Sequence, residues 1–448
     1  MALCAAFLAG GVVYLLFSEY MVGGNYADLV AAAALVRPVE VLALGSGLLV
    51  WFAHKGHYTQ RLPFWVEVAQ IVASCLFVLL CDGFLQFALK NAFSRLWLVH
   101  TWLLAVPLLL LLRHAARVGL ARLALWEIPT LLVGSPDRIA EATTLLHSER
   151  NLGYVVVAQE TFETLEQAEG GGWQAACDRH GAQMVVVAAE EAEQMKYRDL
   201  LAQLALERLP FICIQSLAGL PVLSLKTYHL LGQDVLLLVE QGRLDPTGRG
   251  LKAVFDWLGA LALLALLAPL FVVLALLIRC DGGPVFYADQ RVGRRGQPFA
   301  CLKFRTMRVN SDRILADMLA SDPASREEWD RTKKLRNDPR VTRLGHIMRT
   351  RSLDELPQLL NILRGEMSLV GPRPIPVWQS SIYGRELGYY GLAKPGMTGL
   401  WQVSGRSLLD YVQLVRLNTW YVKNWSLWLD IVILAKTIPV VFFRKGAF

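Results

Sequence analysis

Long apolar runs restrict the fold of this chain more than any other feature of its sequence. Four of them fill the first quarter of the chain and a fifth lies beyond its middle; they cover residues 2–17, 38–54, 64–89, 96–112 and 254–278. A helix needs roughly 20 apolar residues to cross a hydrocarbon layer of about 30 Å. Composition agrees, because 54% of the residues are hydrophobic and only 19% are charged, where soluble domains carry roughly a quarter. We therefore predict a membrane protein and exclude a disordered chain or a small disulfide scaffold.

The placement of Lys and Arg predicts how the first four runs are oriented. The loop between the second and third runs carries Lys55 and Arg61, and Arg113 and Arg117 follow the fourth run. Positive residues accumulate in the cytoplasmic loops of membrane proteins. We therefore predict a four-helix transmembrane bundle over residues 1–120, with both of its ends in the cytoplasm.

From residue 127 onward the pattern changes to short apolar segments that alternate with amphipathic ones. Such alternation predicts parallel strands joined by helices, and we expect a Rossmann-like parallel α/β module over 127–240. Its first turn carries one glycine, Gly134, and lacks the GxGxxG pattern that cradles a dinucleotide. A structural or regulatory module is therefore the favoured interpretation. The predicted strands cover 127–134, 154–159, 183–189 and 210–215, and a helix at 136–148 follows the first of them.

The fifth run is long enough to cross a bilayer, yet its flanks argue against a crossing. Arg249 and Lys252 precede it and Arg279 follows it, whereas a spanning helix carries its positive charge mainly at the cytoplasmic end. Pro269 lies near its centre, where it removes a helical hydrogen bond. We predict a re-entrant, broken helix over 252–279 that enters and leaves the same leaflet. A straight spanning helix is the alternative.

The positive charge of the chain is concentrated behind this run. The whole sequence has a formal net charge of +7, and residues 281–351 alone hold sixteen Lys or Arg against nine Asp or Glu. Arginine presents a planar fork to phosphate oxygens and lysine a point charge. We expect phosphate ligands here, with a basic face on anionic lipid headgroups as the alternative for Arg291, Arg294 and Arg295. Because aromatic residues are not interleaved in the basic stretch, nucleic acid is not an expected partner.

An acidic pair, Asp354 and Glu355, follows the basic stretch. Ser352, three residues before Glu355, resembles the start of a capping box, in which case the acids only mark the beginning of a helix. Their neighbours point to chemistry instead, because Arg349 precedes them and Arg373 follows between two prolines. Adjacent carboxylates among arginines can hold Mg²⁺ beside a phosphate, and one of them can act as a nucleophile once the phosphate charge is offset.

Five strings of residues make the C-terminal part of the chain recognisable. The stretch from 249 to 448 resembles the catalytic domain of the bacterial polyprenyl-phosphate phosphoglycosyl transferases, the monotopic sugar-transferase family. The N-terminal runs and the α/β module resemble the large members, and among these the undecaprenyl-phosphate galactose phosphotransferases, with the glucose-specific members as the near alternative. The strings are QRVGRRGQPF, KFRTM, SLDELPQLLNILRGEMSLVGPRP, PGMTGLWQVSGR and WYVKNWSLWLDI.

The resemblance implies an enzyme that works in two steps. Asp354 would attack the β-phosphate of a UDP-sugar and release UMP, and undecaprenyl phosphate would then take the phosphosugar from Asp354. Glu355 would be the partner of Asp354, with Mg²⁺ beside both carboxylates. At the membrane kink, Pro269 follows Ala268, where the family has a serine. The resemblance implies substrate-phosphate contacts at five basic residues: Arg349, Arg373, Arg406, Lys303 and Arg305.

The resemblance also implies where the protein works. We expect a multi-pass protein of the bacterial inner membrane, with the catalytic domain 249–448 on the cytoplasmic face, where UDP-sugars are found. Its partners would be a UDP-sugar, undecaprenyl phosphate, the lipid bilayer and a second copy of the chain in a homodimer, and the segment 426–445 would lie at the headgroup plane. The reaction would be the first step of O-antigen, capsule or exopolysaccharide assembly. A non-catalytic scaffold of a polysaccharide assembly complex is the alternative of another class, and the intact acidic pair argues against it.

Overall fold

The computed structural model divides the chain into two compact units, residues 1–216 and 217–448. Each unit is described by itself below. The structure describes most of the chain, with gaps at the N-terminus, in several loops and at the C-terminus. The described residues are 27–89, 95–167, 172–207, 209–214, 225–229, 235–239, 246–280, 282–332, 335, 338–405 and 410–442.

The first unit begins with three long helices, α1 (Ala27–His54), α2 (Phe64–Ala88) and α3 (Arg95–Arg122). The apolar windows of α2 and α3 are long enough to span a membrane. The run 2–17 lies outside the described residues, so the fourth helix of the predicted bundle stays a prediction. Both α1 and α3 extend beyond the apolar runs that predicted them.

Charged side chains explain the extra length of α3. Arg113 and Arg117 lie within the helix and donate to the Glu67 carboxylate of α2 at 2.7 and 2.6 Å. The two guanidinium groups are therefore neutralised by a neighbouring helix, and α3 continues past its apolar part.

A buried polar cluster joins all three helices. Asp82 of α2 is fully buried and accepts two hydrogen bonds from Arg37 of α1, at 2.7 and 3.1 Å. It also accepts one from the indole Nε1 of Trp102 in α3, at 2.9 Å. A buried charge is tolerated when it is paired and hydrogen-bonded, so the cluster fixes how these helices pack.

The α/β module follows as predicted. Its four strands are β1 (Ile128–Gly134), β2 (Tyr154–Glu160), β3 (Met184–Ala188) and β4 (Phe211–Cys213); they are parallel in the order β2-β1-β3-β4. This confirms the Rossmann-like sheet. The helices between them are α4 (Pro136–Ser148), α5 (Phe162–Gln167), α6 (Trp173–His180), α7 (Glu191–Lys196) and α8 (Arg198–Leu206).

Gly134, the one glycine of the first turn, is required by strand packing. A Cβ atom at this position would lie 2.1 Å from the carbonyl oxygen of Ala188, the last residue of the neighbouring strand β3. The close approach of two strands is a sufficient reason for the glycine.

The second unit combines one long apolar helix with short strands and helices. The strands are β5 (Leu225–His229), β6 (Val235–Val239), β7 (Phe286–Val292), β8 (Pro298–Phe304), β9 (Ser368–Val370) and β10 (Gly396–Thr398). The pairs β5–β6 and β7–β8 are antiparallel, and β9–β10 is parallel. The helices are α9 (Pro246–Arg279), α10 (Ser311–Ser321), α11 (Pro323–Thr332), α12 (Arg343–Thr350), α13 (Gln358–Leu363), α14 (Leu387–Tyr390), α15 (Leu400–Val403), α16 (Tyr411–Lys423) and α17 (Leu427–Phe442).

Helix α9 is continuous through Pro269, so the break predicted within 252–279 is absent. A proline removes one hydrogen bond and can bend a helix, while the apolar, helix-favouring residues on both sides keep it helical. Most of residues 261–270 are exposed, whereas Lys252 and Ala260 before them and Leu274 and Ile278 after them are buried. One face of the helix therefore contacts its own unit along its length, because Leu264 and Leu267 also pack against the cores of this unit.

A second buried network anchors the beginning of α9 to the C-terminal helices. Asp430 of α17 is fully buried and accepts hydrogen bonds from Lys252 Nζ and Tyr421 OH, each at 2.7 Å. Trp425 Nε1 donates to the same carboxylate at 3.0 Å. Because Lys252 lies in α9 and Tyr421 in α16, the Asp430 carboxylate ties α9, α16 and α17 together.

Candidate active site

The acidic pair lies in one turn of 3₁₀ helix, Leu353–Glu355, directly after α12. Ser352 has a φ of 56°, in the left-handed region that side chains rarely occupy. Its side chain does not cap the turn, so the predicted capping box is wrong. The Glu355 carboxylate accepts a hydrogen bond from Lys303 instead of reaching back to the Ser352 backbone. The backbone around the two acids therefore differs from that at the start of an ordinary helix.

Arg349 is held by the segment that follows β8. Its Nε donates to Thr306 Oγ1 at 2.9 Å. Helix α12 can lie this close because residue 345 is glycine, since a Cβ atom there would be 2.1 Å from the carbonyl oxygen of Thr306. Thr306 belongs to the KFRTM string, so this string positions the arginine whose charge acts on Asp354.

Lys303 is the cation in direct contact with the acidic pair. Its Nζ lies 2.8 Å from Glu355 Oε1, and both side chains are about 70% buried. Burial lowers the pKa of Lys303, but the charges of Glu355 and Asp354 outweigh it and raise that pKa. The lysine therefore stays protonated and supplies a fixed positive charge.

Asp354 differs from an ordinary surface aspartate in its proton affinity. Burial raises the pKa of Asp354 from 3.8 to about 6, and the negative charge of Glu355 acts in the same direction. The positive charges of Lys303 and Arg349 oppose the shift without cancelling it. A carboxylate in this state is ionised near neutral pH yet poorly solvated, as a nucleophile of a transferase requires.

Arg373 approaches the pair from the segment after β9. Its guanidinium lies over the ring of Trp401, 4.4 Å from the ring centroid, and its backbone N–H donates to Asn418 Oδ1 at 3.2 Å. Burial lowers the pKa of Arg373, while the charge of Glu355 opposes this. Sequence reasoning missed Trp401 as a site residue, although it stands in the quoted string PGMTGLWQVSGR.

One of the predicted substrate contacts has a different partner in the structure. Arg305 Nη2 donates to the carbonyl oxygen of Ile278 at 3.0 Å, so this arginine secures the end of α9. Arg406 lies outside the described residues, and its role stays a prediction. The structure thus groups Lys303, Arg349 and Arg373 around the acidic pair.

Protein atoms at this site can supply only part of the coordination shell of a magnesium ion. No group of three or more His, Cys, Asp or Glu occurs among the residues that the structure describes. Mg²⁺ is commonly bound by one or two carboxylates, with water and substrate phosphates completing its shell. Asp354 and Glu355 supply two such carboxylates, which suits an ion that arrives with a phosphorylated substrate.

Three cations around a half-buried carboxylate can bind phosphate groups, and the carboxylate can offer an oxygen nucleophile to one of them. This arrangement, next to a long apolar helix, defines a membrane-associated transferase of phosphorylated substrates. Comparison with known proteins supports this class of enzyme. Residues 247–444 match the family described as bacterial sugar transferase, and residues 54–192 match a family described as CoA-binding domain.

Relatives extend the match over most of the chain. It is 40% identical over 417 residues to the UDP-galactose-lipid carrier transferase of Erwinia amylovora, covering 89% of this chain and 86% of that protein. It is 40% identical over 410 residues to the undecaprenyl-phosphate galactose phosphotransferase of Salmonella typhimurium, with the same coverage. A UDP-glucose:undecaprenyl-phosphate glucose-1-phosphate transferase of Caulobacter vibrioides is 40% identical over 206 residues, which are 44% of this chain and 72% of that protein. The chain belongs to the bacterial sugar transferase family and is a membrane-bound phosphoglycosyl transferase, which confirms the resemblance found in its motifs.

Proposed function

We propose that this enzyme transfers galactose 1-phosphate from UDP-galactose to undecaprenyl phosphate and releases UMP. The observation that carries the proposal is the half-buried Asp354 carboxylate, with its raised pKa, beside the Lys303–Glu355 ion pair. Galactose is favoured because two relatives that match over most of this chain and most of their own length are named for galactose. UDP-glucose is the alternative donor, because a shorter match carries that name.

The reaction would take place in two displacements at phosphorus. An oxygen of the Asp354 carboxylate forms a bond to the β-phosphorus of the donor, and the bond from that phosphorus to the bridging oxygen breaks, so that UMP leaves with the bond electrons. A phosphate oxygen of undecaprenyl phosphate then attacks the same phosphorus. The Asp354–phosphorus bond breaks, which yields the diphosphate-linked lipid sugar and restores the carboxylate. No external oxidant or reductant is needed.

The surrounding cations would lower the cost of bringing anions together. Lys303 and Arg349 act on Asp354 directly, since their charges already oppose the rise in its pKa. Arg373 has a planar fork that can hold two phosphate oxygens, and the Trp401 ring fixes the plane of that fork. Mg²⁺ held by Asp354 and Glu355 would supply further positive charge toward the donor phosphates.

We also propose that α9 enters and leaves one leaflet, as a helix bent at Pro269. The support is that residues near both ends of α9, Lys252 and Ile278, are buried in the catalytic unit, and that Leu264 and Leu267 between them pack against the same unit. Such a course places residues 280–448 on the same side as the beginning of α9, which is the cytoplasmic side if UDP-sugars are to reach them. In a variant without the seven native cysteines, single cysteines at Leu251 and Leu277, both exposed, should then react with an impermeant maleimide from the same side of sealed inner-membrane vesicles. Labelling from opposite sides would show that α9 spans the membrane.

The donor is tested by UMP release from purified enzyme with undecaprenyl phosphate. UDP-galactose, UDP-glucose and their N-acetylated counterparts are compared under the same conditions, and the highest kcat/KM identifies the donor. The proposal further includes a homodimer, which is checked by measuring the mass of the purified protein. It also includes a role in the first step of O-antigen, capsule or exopolysaccharide assembly. That role is checked by loss of the polymer from a strain that lacks the gene.

The covalent step is tested with donor labelled in the β-phosphate. Protein denatured after a short reaction should carry the label, and Asp354→Asn should abolish both label and UMP release. The matched control is Asp317→Asn, which alters an exposed acid of α10 and should retain both. Normal UMP release by Asp354→Asn would overturn the assigned nucleophile. A wild-type enzyme with neither label nor UMP release would favour the non-catalytic scaffold.

A further inference from the structure

Four basic side chains gather beside the beginning of α9, and the proposed reaction uses none of them. Arg294 and Arg295 form the turn between β7 and β8, Lys394 precedes β10, and Arg249 lies in the first turns of α9. Within the part of the chain that the structure describes, none of the four has a carboxylate at ion-pair distance. We call these four residues the basic cluster.

Ser368 connects the loop that carries Lys394 to the beginning of α9. Ser368 donates its hydroxyl to Asp256 of α9 at 2.7 Å, and its backbone N–H donates to the carbonyl oxygen of Pro395 at 2.9 Å. Pro395 follows Lys394 in the chain, and Asp256 lies one helical turn after Lys252. The loop that carries Lys394 is therefore fixed beside the first turns of the apolar helix.

A backbone contact fixes the β7–β8 turn to the same loop. The N–H of Arg295 donates to the carbonyl oxygen of Gly391 at 2.9 Å, three residues before Lys394. Arg295 adopts a φ of 58°, in the left-handed region, a conformation that costs free energy for a residue with a side chain. The turn therefore has an arginine at position 295, although this backbone conformation favours glycine.

The cluster holds like charges together. The pKa of Arg294 is lowered by burial and by the charges of Arg249 and Arg295. Burial also lowers the pKa of Lys394, with Arg294 acting in the same direction and Asp256 opposing. Repulsion of this kind is relieved when an anion binds between the charges.

The acids nearest to the cluster are already engaged. Asp430 accepts a hydrogen bond from Lys252 at 2.7 Å, and Asp256 lies 3.6 Å from the same ammonium group. Asp256 also accepts from Ser368 and from the backbone of Leu369. Lys252 offsets one of these two negative charges, so the four positive charges of the cluster still exceed the one that is left.

The position of the cluster along α9 indicates its depth. The apolar part of the helix begins directly after Lys252, and Trp257, one turn further, is 48% exposed. Tryptophan is enriched at the level of the lipid headgroups. Leu392, between Gly391 and Lys394, is 53% exposed and adds an apolar contact at this surface. Cations followed by tryptophan and then by apolar residues match the order of layers from water into lipid.

We propose that Arg249, Arg294, Arg295 and Lys394 form a binding surface for the phosphate groups of anionic phospholipids. Two strands and a loop of the catalytic unit would thereby hold the unit against the membrane at the point where α9 enters it. The proposal rests on the insertion of α9 into lipid and not on the identity of the sugar donor, so the two can fail separately.

The test measures lipid selectivity without using the reaction. The full chain is reconstituted in phosphatidylcholine with a small amount of spin-labelled phosphatidylglycerol or spin-labelled phosphatidylcholine, and electron paramagnetic resonance gives the relative association of each with the protein. The variant combines Arg294→Gln, Arg295→Gly and Lys394→Gln; glycine at 295 suits the positive φ, which favours folding. We expect the preference for phosphatidylglycerol to fall by up to roughly fivefold for each charge removed.

Two comparisons decide the outcome. The control Arg313→Gln with Arg326→Gln removes exposed arginines of α10 and α11 and should leave the preference unchanged. Equal loss of preference in control and test variants would overturn the proposal, because it would show a general charge effect. Displacement of spin-labelled phosphatidylglycerol by inorganic phosphate, UDP or substoichiometric undecaprenyl phosphate would also overturn it, because it would assign the cluster to a soluble anion or to the acceptor substrate.

Discussion

Replacing Asp354 by asparagine should stabilise the catalytic unit while abolishing its activity. The pKa of Asp354 is raised from 3.8 to about 6 in the folded protein. One pKa unit corresponds to about 1.4 kcal/mol, so ionised Asp354 costs the folded state about 3 kcal/mol. Asparagine has nearly the same shape and no charge, so Asp354→Asn should recover most of this free energy.

The size of the effect depends on pH. The folded protein binds the Asp354 proton more tightly than the unfolded chain does, so ionisation destabilises the fold as pH rises through about 6. Below about pH 4 the carboxyl group is neutral in both states, and the substitution should have little effect there. The stabilisation by Asp354→Asn should therefore grow between about pH 4 and pH 7 and then remain constant.

The assay is thermal unfolding in one detergent over a series of pH values. For a unit of this size, about 3 kcal/mol corresponds to a rise of roughly 6–12 °C in the midpoint near pH 8. Asp317→Asn should not shift the midpoint, and Glu355→Gln should lower it because Lys303 loses its partner at 2.8 Å. Equal midpoints for Asp354→Asn and wild type near pH 8 would refute the argument that the buried charge is costly.

Three further predictions follow from the site and its supports. The kcat/KM for UMP release should fall as pH decreases below about 6, because protonated Asp354 is not a nucleophile; a profile that stays flat to about pH 5 would contradict this. Arg373→Lys should lower kcat/KM by about 10–100-fold because the planar group over Trp401 is lost. Trp401→Phe keeps an aromatic ring and should lower kcat/KM less than Arg373→Lys does in the same assay. Tyr421→Phe should lower the free energy of unfolding by about 1–3 kcal/mol, because Asp430 loses a buried hydrogen bond at 2.7 Å; an unchanged thermal midpoint would argue against that contribution.

Periodic and compositional features of the sequence were sufficient to predict much of the fold. The helix 64–89 appears as Phe64–Ala88, and the strand 127–134 appears as Ile128–Gly134. These elements depend on burial of their own residues, which local patterns record. The extent of α3 was not predictable in this way, because its last turns depend on Glu67 of another helix.

The residues of the candidate site could be predicted from the sequence, but their arrangement in space could not. Asp354, Glu355 and the basic residues near them stand out as motifs. Their arrangement depends on contacts between distant segments, such as the bond from Lys303 to Glu355, 52 residues apart. The left-handed backbone at Ser352 has no signature in the sequence, since serine is not a residue that favours it. The structural role of Arg305 was hidden for the same reason, because its acceptor is a backbone carbonyl of α9.

The Arg37–Asp82 pair has a consequence for how the N-terminal helices enter the bilayer. Either side chain alone within the hydrocarbon layer costs about 2.5–3.5 kcal/mol during insertion. Because the two charges lie on successive helices and share two hydrogen bonds, this compensation is available only when α1 and α2 are present together, in addition to the contact of Arg37 with Glu40 within α1. Insertion of these helices as a hairpin, with α1 retained at the translocon until α2 has been synthesised, is therefore favoured over insertion one helix at a time.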